Sequence, residues 1–204
     1  MNGKPPSKEM LTGLDYKDSI VVCADGAYDY LSEFCVPDIL VGDFDSLKKR
    51  PDNGDLSKLK AKKIIKLEVE KDFTDGHIAM LELIKAGADK IFIYGALGEP
   101  DHELSNYSLL LLAKEVLKDS VIVTERFKIY VASGEFSCPV GVGKIVSLVP
   151  FTDEAHILRT KGLKFSAFDE VWNKYHIKGI SNVSTADAVE LTLKSGAVLV
   201  FAEN

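Results

Sequence analysis

Six aspartates sit where a chain doing metal-assisted phosphate chemistry would need them. Asp25 follows the apolar run Ile20–Ala24. Asp43 and Asp45 follow Ile39–Val41 within Gly42-Asp43-Phe44-Asp45-Ser46. Asp72 and Asp75 lie between the run Ile64–Leu67 and a helical stretch, and Asp101 lies between Ile91–Tyr94 and another. Crowded carboxylates repel one another, and a divalent cation relieves that repulsion. An oxygen-only donor set without neighbouring Cys or paired His favours Mg²⁺ or Mn²⁺ over Zn²⁺. Mg²⁺ held by a few carboxylates completes its shell with water and phosphate oxygens, which points to phosphoryl or pyrophosphoryl transfer. Any one of these residues taken alone is better explained as a helix N-cap or a turn, with Asp72 and Asp101 as N-cap candidates. Their recurrence after successive strands is what favours a shared site. Gly42 suits a backbone that must approach a neighbour closely.

The elements that position these residues alternate in the first half. Short, continuously apolar strands (20–24, 39–41, 64–67, 91–94 and 121–123) are separated by helical patterns over 27–34, 74–85 and 103–118. That pattern indicates a parallel sheet covered on both faces, and in such sheets ligands bind beyond the carboxyl ends of the strands. From Phe127 onward the pattern changes to short strand-like runs at 128–132, 145–149, 157–160, 189–193 and 198–201, punctuated by glycines. This reads as a small all-β sandwich or barrel. The expected fold class is thus an N-terminal α/β domain with a parallel sheet over residues 1–125, followed by a smaller all-β, sandwich-like domain over 126–204.

Composition narrows the function further. The net charge is −6 with no dense Lys/Arg stripe, which argues against nucleic acid. Three cysteines without a CxxC spacing read as reduced thiols in a cytoplasmic protein. No apolar stretch reaches membrane-spanning length, and the first residues carry no signal-peptide core. The loop Gly95-Ala96-Leu97-Gly98 precedes a helix, but the chain has neither GxxxxGK[ST] nor GxGxxG. His102 is either a phosphate donor or a local partner at a helix start; Asp101 and Asn106 flank it.

Taken in order, these segments resemble the bacterial thiamin pyrophosphokinase family. The resemblance is carried by Asp25-Gly26-Ala27, by Pro37-Asp38 with Gly42-Asp43-Phe44-Asp45-Ser46, by Lys71-Asp72-Phe73-Thr74-Asp75, and by Gly95-Ala96-Leu97-Gly98 with Asp101-His102-x-Leu104-x-Asn106. In the second half it is carried by Ser147-Leu148-Val149-Pro150, Gly162-Leu163-Lys164 and Gly179-Ile180-Ser181-Asn182. It implies transfer of pyrophosphate from ATP to thiamin, giving thiamin diphosphate and AMP, with Mg²⁺ as cofactor. It also implies a homodimer whose active site is shared across the interface. Asp43, Asp45, Asp72, Asp75 and Asp101 become candidates for metal and catalysis, and Asp25, Thr74, His102 and Asn106 for ATP. Phe165, Ser181 and Asn182 become candidates for thiamin, although Phe165 reads equally as a core residue and Asn182 as a turn residue. Two departures stand out. Glu99-Pro100 follows Gly98 where the family has Gly-Arg, leaving Lys71 or Arg126 as the cations to replace that Arg. The sequence also starts at the loop 2–6, which in the family follows a strand, so the expected sheet is one strand short. Competing readings are pyrophosphate transfer to a pterin-like alcohol and a non-catalytic nucleotide or thiamin sensor. A dehalogenase-type phosphatase using Asp43 and Asp45 fits poorly, because Leu47 stands where that class has Thr or Val.

Overall fold

In the computed structural model, which describes residues 1, 3–48, 55–70, 72–116, 119–175 and 178–204, the chain divides into two compact units, 1–120 and 121–204. The first is α/β. Strands β1 (Val22–Ala24), β2 (Ile39–Gly42) and β3 (Lys63–Lys66) form a parallel sheet in that order. β1 and β2 are built from β-branched and small apolar residues, and Cys23, Leu40 and Val41 are almost completely buried. Asp38 ties the three strands at one end. Its Oδ2 accepts from Val21 N at 2.8 Å and its Oδ1 from Lys62 Nζ at 2.6 Å.

Among the described residues, four α-helices belong to this unit: α1 (Lys8–Thr12), α2 (Tyr28–Leu31), α3 (Asp75–Lys85) and α4 (Pro100–Val116). α3 begins at the Thr74 N-cap, whose Oγ1 accepts from His77 N at 3.2 Å, and ends before Gly87 at φ +79°. α4 starts a turn earlier than the sequence pattern predicts. Pro100 occupies its first position, where a missing N–H costs nothing, and Glu99 O accepts from Glu103 N at 2.8 Å. Glu99-Pro100 is therefore a helix start. Where α4's pattern ends, at Leu117 and Lys118, lies outside the described residues. The helix expected over 27–34 is shorter: a 3-10 turn at Asp25–Ala27 leads into α2, whose four residues end at Leu31.

β4 (Lys90–Tyr94) is not a member of the β1-β2-β3 sheet. The carbonyls at and after its end are taken instead by the start of the chain. Met1 N donates to Tyr94 O at 3.0 Å, Gly3 N to Gly95 O at 2.8 Å and Lys4 N to Leu97 O at 2.6 Å. Burial pushes the Met1 amine pKa down.

The second unit is an antiparallel sandwich. β5 (Asp119–Val123) straddles the division between the units. It is followed by β6 (Phe127–Ala132), β7 (Glu135–Pro139), β8 (Ile145–Pro150), β9 (Glu154–Lys161), β10 (Phe168–Asn173), β11 (Asn182–Val183), β12 (Ala188–Ser195) and β13 (Val198–Glu203). One sheet runs β10-β9-β12-β7, and β11-β8-β13-β6-β5 are consecutive in another. Alternation puts Val146, Leu148, Val198 and Val200 from one sheet, and Ala155, Ile157, Val189 and Leu191 from the other, into one core cluster. β7, β10 and β11 lie in segments the sequence pattern leaves unassigned. The polar positions of Phe168-Asp169-Glu170-Val171-Trp172-Asn173 break the apolar alternation that marks a half-buried strand.

Candidate active site

The loops after β1 and β2 are locked together by three features. Asp25 (φ +44°) and Phe44 (φ +63°) both adopt the left-handed conformation. Aspartate tolerates this and a bulky residue does not, but Phe44 is fully buried, and burial of an aromatic ring offsets the strain. Gly42 lets the two loops cross closely. A Cβ there would lie 3.1 Å from the Cα, Cβ and Oδ1 of Asp25. Ser46 Oγ then donates to Asp25 Oδ2, joining the two loops by side chain as well.

The result is a carboxylate cluster. Ligand atoms of Asp25, Asp43 and Asp75 lie within 4.8 Å of one another, with Asp25 buried and the other two half-buried. Asp75 arrives from the first turn of α3, where the helix dipole favours negative charge. This all-oxygen donor set suits a hard divalent cation rather than zinc, and it fits the group expected from the sequence. Its membership sharpens the sequence reading, which assigned Asp25 to the nucleotide.

The cluster forms part of an open cleft of about 910 Å³ in the first unit, also lined by Asp45, Asp72, Thr74, His102 and Asn106. Thr74 caps α3. Asn106 is buried, and its Nδ2 donates to Ala96 O at 2.6 Å, fastening the glycine loop to α4. Asp101 is not among the lining residues; its Oδ1 accepts from His102 N at 2.8 Å at the start of α4. Lys4, Ser46, Val69 and Phe73 also line the cleft, and none of them is among the residues expected there from sequence. Phe73 is half-exposed and stacks on His77 with ring centroids 4.5 Å apart. Their signal is weak because only the folded loops bring them to the cleft.

The three second-unit candidates lie close together. Phe165 is 70% exposed, with Lys164 Nζ 5.5 Å from its ring centroid. Asn182 is buried. Its Oδ1 accepts from Phe165 N at 3.1 Å and its Nδ2 donates to Phe165 O at 2.7 Å, so it fixes the backbone that presents the ring. Ser181, at φ +55°, donates its N–H to Ser147 Oγ at 3.0 Å. Arg126 is engaged with Glu203, Nε to Oε1 at 3.2 Å. Lys71 lies outside the described residues.

The fold is shared with solved structures. A thiamine pyrophosphokinase from Bacillus subtilis superposes with a TM-score of 0.83 at 21% identity, over 98% of this chain and 96% of that one. A thiamin pyrophosphokinase from Geobacillus thermodenitrificans gives 0.75 at 23%, over 93% and 88%. The thiamin pyrophosphokinase of Candida albicans gives 0.74 at 19%, over 92% and 82%. Comparison with curated proteins gives no match. Residues 13–122, more than half of the chain, match the family described as the catalytic domain of thiamin pyrophosphokinase. The chain belongs to the thiamin pyrophosphokinase family.

Proposed function

We propose that the protein transfers pyrophosphate from ATP to the hydroxyethyl oxygen of thiamin, releasing AMP, with Mg²⁺ as the metal. The observation that carries this reading is the cluster of Asp25, Asp43 and Asp75 at the ends of β1 and β2 and the start of α3. In this reading those three carboxylates hold the ion. When bound, it would offset the charge that builds on the β-phosphoryl group under attack and on the departing AMP. The protein's own contribution is positioning. Gly42, Ser46 and the buried ring of Phe44 fix the carboxylates before the substrate arrives, so little reorganisation remains for the transition state. Asp45 and Asp72 face the same cleft and orient the nucleotide and its water shell. Asp101 acts one step further out, through the backbone of His102.

The exposed ring of Phe165 is the proposed stacking surface for thiamin, with the Asn182 carboxamide committed to holding it in place. Domain roles follow: nucleotide and metal on residues 1–125, thiamin recognition and dimerisation on 126–204, in a cytoplasmic homodimer. Incubation with ATP, Mg²⁺ and thiamin should yield AMP and thiamin diphosphate in equal amounts. ADP, or phosphate without thiamin diphosphate, would rule the reaction out. Sedimentation should show a dimer, and a stable monomer with full turnover would remove the shared-site arrangement.

A further inference from the structure

The charge of the cleft is one-sided. Asp25, Asp43, Asp45, Asp72, Asp75 and Glu99 line it, and among the described residues Lys4 is the one Lys or Arg that does. A divalent ion neutralises the phosphate oxygens it bridges, but the rest of a polyphosphate would still face carboxylates across the cleft, an arrangement opposed by like-charge repulsion. Lys4 is set rigidly at this place by its backbone. Gly3 N and Lys4 N donate to Gly95 O and Leu97 O. A Cβ at position 3 would sit 2.4 Å from Leu97 O, so that loop needs glycine there, and one at position 98 would sit 3.2 Å from Lys4 N, a tight fit. The Lys4 side chain is exposed, and its ammonium makes no hydrogen bond or ion pair among the described residues. Arg126, by contrast, is paired with Glu203.

We propose that Lys4 is the phosphate-contacting cation of this cleft, engaging the polyphosphate of ATP from the side of the glycine loop. The proposal rests on the reading of the cleft as the ATP site. It also concerns a residue outside the segment 13–122 that matches the family. An ammonium acts on phosphate as a point charge, without the bidentate geometry of arginine.

The test compares wild type, Lys4→Gln and Lys4→Arg by calorimetric binding of Mg·ATP and of Mg·tripolyphosphate, alongside steady-state kinetics. Lys4→Gln should weaken both ligands and raise the KM for ATP about tenfold, which corresponds to about 1.4 kcal/mol. The KM for thiamin and the Tm should stay unchanged, and Lys4→Arg should recover most of the affinity. Wild-type affinity for both ligands in Lys4→Gln would overturn the proposal, and so would a loss seen with ATP but not with tripolyphosphate. Weakened binding in Lys4→Gln without any thiamin diphosphate from wild type would leave Lys4 in place and remove the proposed reaction. Thiamin diphosphate formed by both proteins, with the KM for ATP unchanged in Lys4→Gln, would do the reverse. A wild type that binds neither ligand overturns both.

Discussion

The two units manage polar groups in opposite ways. The sandwich places a continuous apolar cluster between its sheets, and its buried Asn182 is satisfied on both sides of the carboxamide. The α/β unit instead gathers three carboxylates within 4.8 Å. Both units hold residues at positive φ, Asp25 and Phe44 here and Asp169 and Ser181 in the sandwich, but among the described residues only here do they flank crowded charge. Crowded charge and backbone strain oppose folding, and they persist where the surrounding structure enforces them. The contrast teaches that the first unit gives up stability at the ends of β1 and β2 for a prearranged site. The second is ordered by packing.

Substitutions should separate these two regimes. Asp43→Asn should lower turnover by several orders of magnitude while leaving Tm unchanged or raised, because it removes one of three mutually repelling charges. A large drop in Tm would mean that the cluster is a stabilising network, and the contrast would fail. Ile157→Ala, in the fully buried sandwich core, should destabilise by about 2–5 kcal/mol, read by chemical denaturation. A loss below about 1 kcal/mol would mean that the core repacks freely. Gly42→Ala sits between the regimes. Its Cβ must push Asp25 by a few tenths of an ångström, so turnover should fall roughly tenfold, given that a displacement of about 1 Å can cost about a hundredfold. Unchanged turnover would show that the position of Asp25 is not critical.

The smallest effect concerns pH. The Lys62 ammonium, followed by the Val21 N–H, holds the Asp38 carboxyl below the usual aspartate range. Because this pKa is depressed in the folded state, the stabilisation is complete above the ordinary aspartate value. It is lost as pH falls through the depressed one. Lys62 is largely exposed, so solvent screening keeps the effect under about 1 kcal/mol. Asp38→Asn should flatten this part of the acid limb of the stability profile. An identical acid limb would remove Asp38 as the clasp of β1, β2 and β3.

Much of the site was legible because it is written in short local patterns. Gly-Asp-Phe-Asp-Ser announces a strand end, a close approach and two acids within five residues, and Thr74-Asp75 announces a capped helix. The pairing of Asp25 with Asp43 and Asp75 was not legible, since it depends on loops that meet only when β1 and β2 align and Ser46 reaches back to Asp25. Asp101 looked equivalent to the other acids, but a side chain that accepts from the next residue's N–H turns to its own helix start. Pro100 signalled the start of α4 in the sequence, and the apolar period alone hid it by beginning a turn later. In the sandwich the edge strand β10 escaped because Trp172 is its one buried side chain, while Phe168 and Val171 are exposed, so no apolar-in, polar-out alternation marks it.

The proposed function requires Asp25, Asp43 and Asp75 to form one divalent-metal centre serving a phosphate substrate. Electron paramagnetic resonance of Mn²⁺ titrated into wild type, Asp25→Asn, Asp43→Asn and Asp75→Asn, with and without ATP, tests it directly. Wild type should bind Mn²⁺ and ATP should strengthen this binding, while each single substitution should weaken it roughly tenfold or more. Equal Mn²⁺ binding in all four proteins, in the presence of ATP, would contradict it.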